Sequence, residues 1–399
     1  QGVFWVDVPD LAASVNNVQI QRGVGTSTNG AGAFGATINF QTFERSDKAY
    51  AELSSFGGSF NTFKNRVQAG TGLIDDKFSI NARYSHVTSD GYIDHSGSNH
   101  EAMFLTGAWY GDNTLVKAHV FTGRERSGIS WWGVPESKLE TDRTYNPAGQ
   151  YTDFYGNPQY YKDQTDNYEQ THYQLHLAHT FSRHLNGNIA LHYTKGRGYF
   201  EQYKAGEAYT DYGLAPVQLN DTIYSAGGVS NVFPDSTIHS TDLIRRKYLD
   251  NDFYGATYAL NYERQRLRLT LGGAVNTYRG GHFGDILWAQ YGGPFTKDYR
   301  WYDNTGRKDD GNVFLKANVS LTSELSLYGD VQYRYIYYEL QGQDDDLVIL
   351  NQNHAYHFLN PKFGAYYRPS VNQEMYASVA VAHREPTRTD FTDAKGDAR

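Results

Sequence analysis

VNNVQIQRGVGTSTNGAGAFGATINFQT, residues 15–42, is a strand, a glycine-dense turn and a second strand in one stretch. Val18 and Ile20 alternate with Gln19 and Gln21, and Ile38 and Phe40 with Asn39 and Gln41, so both flanks read as half-buried strands. Between them stand Gly23, Gly25, Gly30, Gly32 and Gly35, spaced by Thr26, Ser27 and Thr28. Glycine permits positive φ and close backbone approach. Gly23, Gly32 and Gly35 are therefore expected in a turn packed against its surroundings. A phosphate-binding loop is the other use of such a turn, but neither GxGxxG leading into a helix nor GxxxxGK[ST] is present.

Composition points the same way. The 399 residues hold 34 Tyr, 21 Phe and 40 Gly against 10 Pro and 2 Met. That balance fits many strands with alternating faces better than several closed hydrophobic cores. No run approaches the 18 apolar residues of a membrane-spanning helix. A barrel hides its lipid face in a period of two, so this leaves a β-type membrane protein open. Cysteine is absent, which removes disulfides, thiolate metal sites and cysteine nucleophiles. The net charge of −8 argues against nucleic acid.

Residues 15–42 resemble the end of the plug domain of TonB-dependent outer-membrane receptors. There, a strand ending in Arg-Gly leads through small residues to Gly-Ala-x-Gly-Gly and a strand of the type Val-Ile-Asn. The matching residues are Arg22-Gly23, then Gly32-Ala33-Phe34-Gly35-Ala36, then Thr37-Ile38-Asn39. Val24 stands where proline is usual, and Ala36 replaces the second glycine. The resemblance implies an all-β membrane barrel: residues 1–46 as the C-terminal remnant of a plug, and residues 47–399 as part of a 22-stranded antiparallel transmembrane barrel. It also implies a Gram-negative outer-membrane location with long loops extracellular, lipid around the wall, and TonB as partner through a docking segment preceding Gln1.

From Lys48 onward the pattern itself is of long strands, about thirteen in number. Val313, Leu315, Ala317, Val319 and Leu321 fall on one face, and Phe314, Lys316, Asn318, Ser320 and Thr322 on the other. Phe78, Ile80, Ala82 and Tyr84 are split from Ser79, Asn81, Arg83 and Ser85 in the same way. Tight connections are expected at 73–77, 112–113, 182–185, 263–266, 322–324 and 370–373, with long ones at 128–165, 201–249, 282–308 and 343–354. Their alternation puts the long connections at one end of the sheet, as in outer-membrane barrels. Phe78, Phe181, Tyr262 and Tyr367 are placed for an aromatic girdle, and His179 is an exception on an apolar face. An odd thirteenth strand, set against a barrel of 22, implies roughly nine further strands.

No catalytic constellation stands out: HExxH and GxSxG are absent, and Asp330 and Arg334 share a face that lines or pins a lumen. The expected ligand site is the mouth, with Trp131 and Trp132 in one loop, Trp288 and Trp301 in another, and Arg124, Arg126, Arg384 and Arg388 as cationic donors. Asp344-Asp345-Asp346 reads as an acidic tip or as a Ca²⁺ loop. No resident cofactor or metal is expected. The resemblance implies TonB-dependent import of a small molecule, and the ungapped Arg-Gly-Val-Gly-Thr-Ser-Thr-Asn-Gly run is most similar to the ferric-siderophore branch. Vitamin B12 and haem receptors stay open within the family. The rivals outside it are a soluble all-β carbohydrate-binding protein and a barrel enzyme.

Overall fold

The computed structural model describes residues 7–394 except 31, 33–34, 43–44, 220–221, 226–227, 233–235, 294 and 297. Ala33 and Phe34 of the glycine motif lie outside the described residues.

β1 (Val15–Arg22) and β2 (Ala36–Thr42) pair antiparallel with Ile20 opposite Ile38 and Val18 opposite Phe40. The pairing follows the sequence pattern, but the expected half-burial does not. Val18, Ile20, Ile38 and Phe40 are all exposed, because the hairpin is fixed by polar contacts near its ends and not by its apolar face. Gly23 takes a φ of 76°, and its N–H donates to the Gly35 carbonyl at 2.8 Å, closing the pair. The expected packing is not found: Gly23, Gly32 and Gly35 are all exposed, a Cβ on any of them would meet nothing within 4 Å, and Gly32 and Gly35 lack a left-handed φ as well. The second left-handed glycine of the turn is Gly30, at 104°.

The remaining long strands form one antiparallel sheet of 13 strands. They begin with β3 (Tyr50–Gly58), β4 (Thr62–Gly70), β5 (Phe78–Ser89), β6 (Ser98–Tyr110) and β7 (Thr114–Gly128). A small hairpin, β8 (Gln150–Thr152) and β9 (Pro158–Tyr160), precedes β10 (Thr165–Ser182) and β11 (Leu185–Ala208). Four short strands follow as two separate pairs: β12 (Val217–Leu219) with β15 (Ser236–Ile238), and β13 (Thr222–Ser225) with β14 (Gly228–Val232). The wall resumes with β16 (Ser240–Arg264), β17 (Leu267–Ala289), β18 (Tyr299–Ser320), β19 (Leu325–Gln343), β20 (Gln352–Ser370) and β21 (Gln373–Ala380), and the short helix α1 (Arg388–Asp393) ends the described chain. Each wall strand pairs with its nearest wall neighbours in sequence, and β3 and β21 are the two edges.

All six expected tight turns are present, and they share one end of the sheet. The long connections expected at 128–165 and 343–354 are present, but those expected at 201–249 and 282–308 are shorter than the sequence suggests. β11 and β16 run on to Ala208 and from Ser240, and β17 and β18 leave only 290–298 between them. The Gly-, Asp- and Arg-rich residues 279–289 and 299–310 break the apolar alternation and so read as loop, yet they continue the backbone ladder.

The N-terminal segment identifies the concave face. Residues 7–10 touch β4, β5 and β7, while Ser27 touches β19 and β20, so the sheet curls around a segment that reaches strands near both edges. Alternation then assigns every wall side chain. Ser79, Asn81, Arg83 and Ser85 are buried on the concave side, and Phe78, Ile80 and Tyr84 are exposed on the convex side. Leu315 is 53% and Leu271 44% exposed on the convex side, whereas Lys316 lies opposite Asp330 on the concave side. His179 stays on the convex face near the tight-turn end, where Nδ1 lies 2.7 Å from Thr114 Oγ1 and the ring sits edge-on to Phe181. Among the described residues no helix is long and apolar enough to cross a membrane.

In lipid vesicles, Leu315→Arg is expected to cost about 2–4 kcal/mol of folding stability, the range for a cation at the middle of a lipid-facing strand. The same change at Asn318, on the concave face, should cost far less. Urea titration of the two vesicle-embedded variants measures the difference.

Candidate functional site

Two polar latches hold the N-terminal segment in the concavity. Asp330 on β19 and Lys362 on β20 are cross-strand partners, and Asp330 is fully buried. Its carboxylate accepts from Ser27 N at 2.7 Å, Ser27 Oγ at 2.6 Å and Tyr328 Oη at 2.8 Å. Lys362 Nζ donates to Ser27 Oγ at 2.9 Å. A carboxylate removed from water is costly unless its lone pairs are filled, and here the hairpin turn supplies two of the three donors.

At the second latch, Arg83 Nη1 donates to Asp10 O and Oδ2, both at 2.9 Å, and Lys64 also binds the Asp10 carboxylate. Beside it the chain passes so close to β7 that a Cβ on Gly123 would stand 2.4 Å from Pro9 Cδ. Glycine is needed at that position for backbone approach.

A third polar cluster holds residues 381–394. Arg334 pairs with Asp310 at 2.5 Å and with Glu385 at 3.0 Å, and Lys308 also binds Glu385. Phe391 is buried between Tyr338 and His354, with ring centroids at 5.3 and 4.6 Å. Asp330 and Arg334 thus both face the concavity, and each is fully engaged in ion pairs or hydrogen bonds.

The structure separates the residues expected to converge at the mouth. Trp131 and Trp132 are both 56% exposed, 6.2 Å apart, with Trp131 edge-on to Phe200 on the concave face. Lys247 lies 5.9 Å from the same Phe200 ring and binds Asp345, tying the 344–351 connection to the mouth. Trp301 is buried, unlike the other three tryptophans expected at the mouth. It is 4% exposed, packed with Tyr212, Leu243, Ile286 and Tyr302, under Arg245 at 5.9 Å. Trp288 stacks on Tyr203, which belongs to the convex face with Tyr199 and Glu201.

Arg124 and Arg126 do not reach the mouth's interior. The register that puts Phe121, Gly123 and Glu125 on the concave side puts both arginines on the convex side, and Arg126 pairs with Asp163 at 3.0 Å. Val116, Ala118 and Val120 occupy the same even positions of that strand, so the parity was readable. Arg388 donates to Asn304 Oδ1 at 2.7 Å, and Arg384 is exposed. The acidic triplet is a folded tip: Asp344 Oδ1 accepts the N–H groups of Asp346 and Val348, and Asp345 takes Lys247. Among the described residues no three His, Asp or Glu side chains are grouped to hold a metal ion.

Sequence reasoning missed Asp10, Ser27, Lys64, Arg83, Lys247 and Lys362. Their partners lie up to 335 positions away, and no local signal joins residues so far apart.

The fold is similar to that of solved TonB-dependent siderophore receptors. The ferric-catecholate import receptor Fiu from E. coli K12 matches with a TM-score of 0.65 and 12% identity over 94% of this chain and 60% of that one. The siderophore receptor PiuA from Acinetobacter baumannii matches at 0.64 and 12% over 92% and 54%. The copper transporter OprC matches at 0.65 and 13% over 94% and 52%. The chain therefore spans about half to three fifths of the length of these structures. No family model and no curated protein matches the sequence.

Two outcomes test the site. Ser27→Ala removes the hydroxyl shared by Asp330 and Lys362, and should destabilise the docked hairpin by about 1–3 kcal/mol, read as faster amide exchange at residues 23–30. At the mouth, burial opposes ionisation of Asp345, but the Lys247 ammonium bound to it outweighs burial and holds the carboxyl below its ordinary value. The contact is thus complete above the ordinary carboxylate range, about pH 4, and is lost as pH falls through the depressed value. Exchange across 344–351 should rise on acidification, and Lys247→Gln should remove that pH step.

Proposed function

We propose that this chain is the plug end and adjoining wall of a TonB-dependent outer-membrane importer, with residues 1–46 as the plug remnant and 47–399 as part of the transmembrane barrel. The observation that carries this reading is the latched N-terminal segment. A soluble carbohydrate-binding sheet has no use for a buried Asp330 whose ligands come from a segment inside its own concavity. The exposed leucine, valine and tyrosine rows on the convex face support lipid around the wall. On this reading the tight turns are periplasmic, the long connections extracellular, and TonB acts on a docking segment ahead of Gln1.

The ligand we propose is a ferric siderophore. Trp131 and Trp132 offer exposed rings, Trp131 shares the concave Phe200 ring with Lys247, and Arg384 is exposed. Rings stack on the flat parts of a chelate, and cations meet its oxygens.

The test is uptake of a labelled ferric catecholate by cells that depend on this receptor. Trp131→Ala with Trp132→Ala should lower uptake about tenfold, the scale of losing two stacking contacts. Arg124→Gln with Arg126→Gln should leave it unchanged, because both side chains point away from the trough. Loss of uptake in the arginine pair alone would place the ligand elsewhere, and no uptake in any form would remove the siderophore.

A further inference from the structure

We infer that docking of residues 7–10 against β7 depends on a proton held by the Glu125 carboxyl, and that the segment loosens when that proton leaves. The dependence holds for whatever ligand the mouth takes.

The site adjoins the crossing of Pro9 over Gly123. Two residues further along β7, Glu125 is 2% exposed on the same concave face. Its Oε2 accepts from Ser127 Oγ at 3.1 Å, while its Oε1 is buried and has no hydrogen-bond partner among the described residues. On β10, Tyr168 stands opposite Glu125 and Asp166 opposite Ser127; on β6, His100 is the cross-strand partner of Glu125. Asp7 closes the site from the segment side, its carbonyl oxygen 3.4 Å from where a Cβ on Gly123 would stand. Three carboxyl groups, from three elements, thus share one covered spot.

Among the described residues no base balances them. The charges acting on Glu125 are Asp166 and Asp7, and Asp7 also acts on Asp166. Arg83 and Lys64, the bases of the neighbouring latch, are taken by Asp10. Arg124 and Arg126 leave β7 on the convex side, where Arg126 pairs with Asp163. Carboxylates gathered out of water without a counter-charge do not all ionise. A proton on Glu125 removes one charge from the group.

This level lies beyond the apolar belt, since the convex side chains in the same row include Arg124, Glu169 and Arg197. Burial first, then Asp166 and Asp7, push the Glu125 carboxyl up to about 8, against the opposing Ser127 hydroxyl. Burial and then Asp7 push Asp166 up to about 6. Burial holds the His100 imidazole below its ordinary value and chiefly sets the Tyr168 phenol at about 12, so both stay neutral between about pH 7 and pH 9. In that window the titrating group is Glu125.

A carboxyl whose value is raised on docking keeps its proton while docked and loses it once uncovered. Docking is therefore complete below the ordinary carboxylate range, about pH 4, and is lost as pH climbs through about 8. The sign is opposite to that of the Asp345–Lys247 contact. Acid tightens the segment and loosens the mouth.

The chain has no cysteine, so Ala12→Cys, in the turn that follows the segment, takes a single nitroxide label at an exposed position. Electron paramagnetic resonance of the labelled protein in detergent micelles resolves docked and free populations, with the urea-unfolded chain as the mobile reference. The free-to-docked ratio should rise about tenfold between about pH 7 and pH 9, the change for one carboxyl near 8 when docked and below about 6 when free. Glu125→Gln keeps the shape of the protonated side chain without its titration, and should hold the ratio level across that range. Asp166→Asn removes one like charge and should move the step to lower pH. A wild-type ratio that stays constant, a step that survives Glu125→Gln, or a step that Asp166→Asn leaves in place overturns the inference.

Discussion

A strand offers two faces and its backbone groups must all be paired, so a wall of antiparallel strands can put hydrocarbon on one side and polar groups on the other without leaving hydrogen bonds unmade. Everything else in this molecule depends on that constraint. Because pairing is continuous from β3 to β21, a single reference contact, Arg83 with Asp10, assigns the orientation of side chains on every strand outside the bulges. The wall therefore carries little core in the ordinary sense. Its buried apolar clusters sit at the mouth, around Leu243 and Trp301, and around Phe391, while the concavity is filled by paired charges.

Those charges explain why the N-terminal segment docks where it does. Asp330, Arg83 and Arg334 lie on the concave face of a curled sheet, where water is thinned and an unpaired ion is expensive. The hairpin turn provides what Asp330 lacks and residues 7–10 what Arg83 lacks, while Asp310 and Glu385 satisfy Arg334. The exposed apolar face of β1 and β2 shows the same thing from the other side: specificity of docking lies in Ser27 and Asp10, not in Val18 or Ile20. Polar docking of this kind has a fixed register, yet it can be undone by water as soon as the segment moves.

The wall was legible in the sequence because alternation and turn chemistry are local. The tight turns near 112–113, 182–185 and 263–266, and the faces of 78–85 and 313–321, follow from neighbours a few residues apart. Strand length beyond the apolar belt was not legible, since Arg279, Arg307 and Gly281 carry no hydrophobic period even though the backbone ladder continues through them. Gly32 and Gly35 misled for a related reason. Glycine permits a left-handed turn without requiring one, and Gly30 took the conformation instead.

The mouth shows where sequence reading gives out. Fifteen percent of the chain is aromatic, and a ring's chemistry does not say whether it will pack or remain open. Trp301 falls beside a bulge in the β17–β18 register, between residues paired as Gly284–Tyr302 and Asp285–Arg300, and the extra residue turns its ring into the cluster of Tyr212 and Leu243. Trp131 and Trp132 sit in a connection with no ladder to bury them and stay exposed. The decision between structural and binding aromatics is thus made by the backbone register around each ring. The same holds for the arginines: one position along a strand separates Arg124 on the convex face from Glu125 on the concave one.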